Sequence, residues 1–280
     1  MMHGPEKSDA AIRAKKPANK AAPAVAERVE QRAATEGNTG QPRTRRTQRR
    51  ASVSPGLDRV RNAAKQRKKE KFTALLHHVT VDLLRDAFLA LKRRAAPGVD
   101  GVTWQDYEAN LEGNLQDLHA RVHRGTYRAQ PVRRRFIPKP GTDKQRPLGI
   151  AALEDKIVQR AVVVVLNAIY EEDFLGFSYG FRPGRGQHDA LDALSVAISE
   201  TRVNWILDAD IRSFFDGLSQ EWLVRFLEHR VGDERILRLV RKWLRAGVLE
   251  DGEWSVSETG TPQGAVATPR TQKVTSSLSV

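Results

Sequence analysis

A short apolar run that drives straight into paired carboxylates constrains this chain more than any other feature. Residues 203–216 read VNWILDADIRSFFD, so Trp205, Ile206 and Leu207 lead to Asp208 and Asp210, and Phe215 follows five residues after Asp210. An apolar strand that ends in an acid can carry that carboxylate from a core to the rim of a cleft. Carboxylate oxygens are the ligands Mg²⁺ prefers, and a nearby phenyl ring can press on a flat ligand. The pattern therefore predicts nucleotidyl-transfer chemistry. A competing reading makes Asp208, Asp210 and Asp216 ordinary strand-end and turn carboxylates, and the segment alone leaves both open.

Composition narrows the class. A chain of 280 residues accommodates one large domain or two small ones. It has no cysteine, which excludes disulfide frameworks and thiolate zinc sites. No apolar run reaches the roughly 18 residues of a membrane span, and the start does not read as a signal peptide. The expectation is a soluble, intracellular chain with no membrane partner. Its net charge of +13 is unevenly spread: residues 1–70 hold 18 Lys and Arg against 7 Asp and Glu, whereas the remainder holds 29 against 27. Residues 1–56 are too poor in large apolar side chains to offset their ordering entropy, which predicts a disordered basic arm. PRTRRTQRRAS, residues 42–52, suits phosphate contact, with a solubilising leader as the plainer alternative.

A second basic concentration lies in the body, where residues 121–146 carry nine Lys and Arg against the single acid Asp143. Its centre, RRRFIPKPGTDKQRPLGI, predicts two strands around a Pro-Gly-Thr-Asp turn. Such a hairpin would hold a triphosphate, or bind nucleic acid without chemistry. Thr80 predicts a helix start before Leu83, Leu84, Ala87, Phe88 and Leu91. One amphipathic helix is expected over Trp104–His123, and another over Glu154–Tyr170 despite four consecutive valines, with a strand as the alternative. A helix through Leu191, Leu194 and Ile198 follows the loop SYGFRPGRG. Ser219 should cap the next, Gly232 and Gly247 should end the last two, and Asp251-Gly252 predicts a hairpin turn. Trp222 and Trp243 read as core residues rather than base-stacking platforms.

Four blocks in order then carry a resemblance: FIPKPGTDKQRPLGI (Phe136–Ile150), EDKIVQRAVVVVLNAIYEEDFLGFSYGFRPGRGQHDALDAL (Glu154–Leu194), ILDADIRSFFD (Ile206–Asp216) and GTPQGAVATP (Gly260–Pro269). Over about residues 57–269 the chain resembles the reverse transcriptases of bacterial group II introns, the maturase type. The resemblance implies an α+β fold, the fingers and partial palm of a right-hand polymerase. Behind the arm, residues 57–200 would form N-terminal helices and fingers. Residues 201–269 would form a partial palm with the first catalytic Asp and the PQG motif, and 270–280 an unrelated polar tail. The activity implied is that of an RNA-directed DNA polymerase of a mobile element, extending a DNA primer with dNTPs on an RNA template. Group II intron RNA as partner, Mg²⁺ as cofactor and a bacterial cytoplasm come with it; the oligomeric state does not.

Residue by residue, Asp210 matches the first catalytic carboxylate, which holds Mg²⁺ with the backbone carbonyl of Ile211. Phe215 matches the steric gate beneath the sugar. Lys139 and Arg146 match the cations on the triphosphate, one a point charge and the other a fork. Gln263 matches the residue beside the nucleotide, and Arg133, Arg134, Arg135, Arg182 and Arg185 would touch template RNA. The family's Tyr-x-Asp-Asp motif is absent from these residues, and RTQKVTSSLSV after Pro269 is unlike the apolar helix expected there. A frameshift or early stop near Pro269 would give this pattern, and implies a truncated chain, inactive alone and marginally stable. The alternative function is a non-catalytic fragment that grips intron RNA. A hydrolase finds no support in seven scattered histidines.

Overall fold

Thirteen of the eighteen residues from Leu153 to Tyr170 are buried, and they are buried as a helix. The computed structural model, which describes residues 54–138, 141, 143, 145–200, 203–209, 217–256 and 259–260, is arranged around it. A segment apolar on nearly every side has to be surrounded. Four valines in a row do not divert it, because β-branching costs a helix only tenths of a kilocalorie per residue, less than the burial of a valine side chain, about 1.5–3 kcal/mol.

The elements, in chain order, are α1 (Pro55–Gln66), α2 (Val81–Leu89), α3 (Trp104–Glu108), α4 (Leu111–Arg124), β1 (Val132–Pro138), β2 (Gln145–Ile150), α5 (Leu153–Tyr170), α6 (Gln187–Glu200), α7 (Gln220–Glu228), α8 (Glu234–Arg245), β3 (Val248–Glu250) and β4 (Glu253–Ser255). Helix α1 begins two residues before the expected 56/57 boundary. Ser54 accepts from the Leu57 amide and Pro55 opens the first turn, where its missing N–H removes no hydrogen bond. Leu57, Val60 and Ala64 are its buried face. Thr80 caps α2 as expected.

The single helix expected over Trp104–His123 is two. Thr103 and Asp106 close a capping box on α3, and α4 restarts after Asn110, whose backbone leaves the helical region at φ −133° and ψ 50°. Asparagine competes with helical hydrogen bonding, so it marks a start more readily than an interior. Gly125, at φ 81°, ends α4, a conformation that favours glycine.

One sheet runs in the order β2-β1-β3-β4. Strands β1 and β2 form the expected antiparallel hairpin, with Arg133 opposite Ile150 and Pro138 opposite Gln145. Strand β3 joins β1 in parallel at Val132 and Val248, and turns into β4 through Asp251 (φ 48°) and Gly252 (φ 89°), the pair of positive angles that a two-residue hairpin needs. The line expected at 200/201 cuts through this body: Leu223, Leu227, Ile236 and Val240 share one core with α1 to α5.

Two expectations fail here. Trp222 is 54% exposed, whereas Trp243 packs against the core; the apolar side of α7 is Leu223, Val224 and Leu227, one position round from Trp222. Residues 203–209, expected as a strand, have no regular structure, and Trp205 and Leu207 are each 91% exposed. A strand needs a hydrogen-bonding neighbour, and none pairs with this segment among the described residues. The basic arm, Asp210, Ile211, Phe215 and Gln263 lie outside the described residues, as do the PQG block beyond Gly260 and the 270–280 tail. No described helix is long and apolar enough to cross a membrane.

A buried guanidinium closes the body. Arg230, between α7 and α8, is 2% exposed. It donates through Nη1 to the carbonyls of Arg67 (2.9 Å) and Glu70 (3.2 Å), and its Nε lies 2.9 Å from Asp173 Oδ2. Phe72 lies under it, 5.6 Å from ring centre to Cζ. One side chain thus ties the ends of α1 and α5 to the α7–α8 corner. Arg230→Ala should cost about 3 kcal/mol, because it strips the carbonyls of their donor and leaves Asp173 only Lys68, 3.9 Å away. Urea unfolding measures this, and a loss under 1 kcal/mol would contradict the account.

Candidate nucleic-acid interface

The hairpin stands on a rigid base. The loop Ala95–Gly101, which reads in the sequence only as a helix breaker, lies flat against the start of α5. A Cβ on Gly98 would sit 2.4 Å from Ala152 Cα, so no side chain fits there. Lys156 donates to the Ala96 carbonyl at 2.9 Å, and Arg133 Nη2 to that of Pro97 at 2.6 Å. Arg133 is thereby a strut of the hairpin. Arg134 leans toward Glu250, with Nε 3.5 Å from its carboxylate.

Farther out the strands leave the core. Arg135, Phe136, Ile137, Gln145 and Arg146 are exposed. Residues opposite each other in an antiparallel pair share a face. Ile137 faces Arg146, and Arg135 faces Leu148, so Arg135 and Arg146 project from one side of the hairpin. Among the described residues neither has a carboxylate partner. Lys139 lies outside the described residues. The arrangement can offer two forked donors to phosphate oxygens, beside apolar Ile137.

Beneath the hairpin's base lies a polar chain that sequence reasoning missed. Trp243 Nε1 donates to Tyr127 Oη at 2.9 Å, the Tyr127 hydroxyl donates to Asp155, and the Gln130 amide donates to the same carboxylate at 3.0 Å. Asp155 is 2% exposed. Burial pushes its pKa up to about 6, against the pull of these hydrogen bonds. In the sequence, Glu154-Asp155 reads as a pair of acids suited to a helix start. No local signal shows that one of them is buried and the other meets Arg121 Nη2 at 2.7 Å. A cavity of about 200 Å³ opens beside this network, with Asp100 and Arg128 on its walls.

The loop after α5 corrects another expectation. Only 7% of the Arg182 side chain is exposed: its Nε is paired with Glu171 (3.1 Å), and its Nη1 donates to the carbonyls of Leu175 and Ser178 (both 2.9 Å). Arg185 likewise donates to the Gly176 carbonyl and stands over the Tyr179 ring, 5.3 Å from its centre. Both arginines hold this loop together, so Arg182 is not presented to a template here. Among the described residues no three His, Asp or Glu side chains are grouped for a metal ion. Asp208 stands in the exposed 203–209 segment, and the described donors do not compose a metal site.

The reverse transcriptase (RNA-dependent DNA polymerase) family matches residues 137–275. Protein YkfC of Escherichia coli K12 is 39% identical over 184 residues, covering 65% of this chain and 48% of that protein. The group II intron-encoded protein LtrA of Lactococcus lactis subsp. cremoris is 31% identical over 214 residues, covering 76% of this chain and 35% of LtrA. The chain thus spans about half and about a third of these relatives. The solved partial Cas6-RT-Cas1–Cas2 complex aligns with 72% of this chain and 34% of its own, at 20% identity and a TM-score of 0.46.

Two outcomes follow from the site's geometry. A carboxyl whose pKa is higher in the folded state than in the unfolded chain (about 3.9) costs stability when ionised. Wild type should therefore lose stability relative to Asp155→Asn as pH rises from about 4 to about 6. Urea midpoints of both proteins across that window check it, and a constant difference refutes it. Arg182→Ala should make residues 175–186 cleavable by trypsin or chymotrypsin without any nucleic acid present; unchanged resistance would return Arg182 to a template-binding role.

Proposed function

This chain belongs to the reverse transcriptase family, of the type encoded by group II introns, and from that membership we propose how its residues work on nucleic acid. The reading is an RNA-directed DNA polymerase that extends a DNA primer with dNTPs on an RNA template, with group II intron RNA as the partner. The match over residues 137–275 carries it, since Asp210 and Gln263 fall inside that span. Arg135 and Arg146 would grip phosphate oxygens through paired N–H donors, joined by Lys139. Asp210, with the Ile211 carbonyl, would hold a divalent cation, proposed as Mg²⁺, whose chemistry when bound is charge stabilisation at phosphoryl oxygens. Phe215 would limit the sugar, and Gln263 would pack beside the base.

A second reading has its own support. The segment leading to Asp210 is uncovered in this body, whereas the basic hairpin is anchored at its base through Arg133 and Gly98. These 280 residues contain no Tyr-x-Asp-Asp tetrapeptide, so on their own they offer a metal pair too few carboxylates. Gripping RNA needs neither.

Primer extension separates the two. With magnesium and an RNA template, these 280 residues should give no extension above background, while binding a structured RNA with an affinity that Asp210→Ala leaves unchanged. Arg135→Gln with Arg146→Gln should weaken that binding several-fold and flatten its salt dependence by about two log units per log unit of salt. Robust magnesium-dependent extension, abolished by Asp210→Ala, would overturn the inactive reading of these residues.

A further inference from the structure

The end of α4 and the outer stripe of α8 meet in a cluster of cations, of which only Lys242 and Arg235 are tied into the body. On α8, Arg235, Arg238, Lys242 and Arg245 recur at steps of three, four and three residues. That spacing lines side chains along one helical face, here about 15 Å long at 1.5 Å per residue. Ile236, Leu237, Leu239 and Val240 fill the opposite, buried side. The stripe abuts the C-terminus of α4: Arg238 Nη1 lies 3.6 Å from the place a Cβ would occupy on Gly125. Arg124 and Arg128 flank that glycine in the chain, and both are exposed.

The plain explanation is that these cations cap a helix end. A helix C-terminus carries only about half a negative charge, and Lys242 already answers it, donating to the carbonyls of Gly125 (2.9 Å) and Tyr127. Burial, and then the charges of Arg238 and Arg128, push the Lys242 pKa down; acids stand at the margins, Asp100 near Arg128 and Glu228 near Arg245. Several arginines elsewhere are neutralised, Arg61 by Asp58, Arg85 by Glu112, Arg225 by Glu221 and Arg241 by Glu228, whereas Arg59 and Arg94, like Arg135 and Arg146 of the hairpin, are exposed and form no ion pair among the described residues. On this face Arg235 is paired with Asp233. Among the described residues Arg124, Arg128, Arg238 and Arg245 form no ion pair.

We propose that Arg124, Arg128, Arg238 and Arg245 form a second phosphate-binding surface, which takes the backbone of a structured RNA. It flanks the base of the β1–β2 hairpin, where Val132 pairs with Val248. The position of Arg146, opposite Ile137, lies about 17 Å farther along the strand at 3.3 Å per residue. The identity of the anion as RNA rests on the function proposed above; the site rests on its own geometry.

The test is binding of a stem-loop RNA to the 280-residue chain over a series of salt concentrations. The triple variant Arg128→Gln, Arg238→Gln, Arg245→Gln should lower the slope of log affinity against log salt by about two to three, and weaken binding about tenfold or more at low salt. A matched variant, Arg61→Gln, Lys65→Gln, Lys92→Gln, removes the same charge elsewhere and should keep the wild-type slope. Equal losses in both, or none in the first, would overturn the proposal. The three single variants, each losing about one unit of slope, decide the matter if the triple one unfolds. A loss confined to Arg135→Gln and Arg146→Gln would refute the second surface while sparing the hairpin. Binding to phosphatidylserine vesicles that falls in the triple variant, with RNA binding unchanged, would overturn it in favour of a membrane. Primer extension is not read, so its failure leaves the outcome standing.

Discussion

A helix apolar on nearly all its sides cannot rest on a surface, and α5 imposes that condition on everything around it. Ile157, Val158, Ala161 and Val165 occupy its centre, and α1, α2, α4, α7 and α8 contribute Leu57, Leu84, Leu118, Leu223 and Leu237 to the same core. The polar ties stand at its two ends. Asp155 near the start gathers Tyr127, Gln130 and, through Tyr127, Trp243; Asp173 just past its end meets Arg230. Such buried polar groups are costly when half-paired and rigidifying when satisfied. They fix where α8, the hairpin base and the end of α1 must stand. Asp233 adds a third tie, its carboxylate accepting from the amides of Leu75 and Leu76 at 2.7 and 2.9 Å. Burial opposes ionisation of Asp233, but Arg235 and those amides outweigh it and hold the pKa down to about 2.

Much of this was legible where the signal is local. Caps at Thr80 and Ser219, the Asp251-Gly252 turn and the pairing of β1 with β2 depend on a few neighbouring residues, and the structure has them where the sequence put them. What failed depends on distant partners. Trp222 lies one step off the buried side of α7, a rotation that no composition argument registers. Arg182 reads as a template contact until Glu171 and two loop carbonyls claim its donors. Asp155 is buried only because Tyr127 and Gln130 approach it across 25 or more residues of chain. The 203–209 run has a strand's composition, but composition does not supply the neighbouring strand.

Function divides along the same line. The family resemblance, read from four short blocks, agreed with the reverse transcriptase match over residues 137–275. Within the described body, the side chains ready for nucleic acid are cations on rigid supports: Arg135 and Arg146 on a hairpin braced by Arg133, and the unpaired arginines beside Gly125. Phosphate contacts of this kind position RNA without reading its sequence. The chemistry assigned to Asp210 needs a strand in place, whereas the grip does not.

The most direct test of that division is amide hydrogen exchange on the 280-residue chain, followed residue by residue. Helix α5 should be protected to the level of global unfolding, while 203–209 should exchange at the rate of an open chain. Protection of 203–209 comparable to that of α5 would place the segment leading to Asp210 in a formed sheet, and would contradict the account.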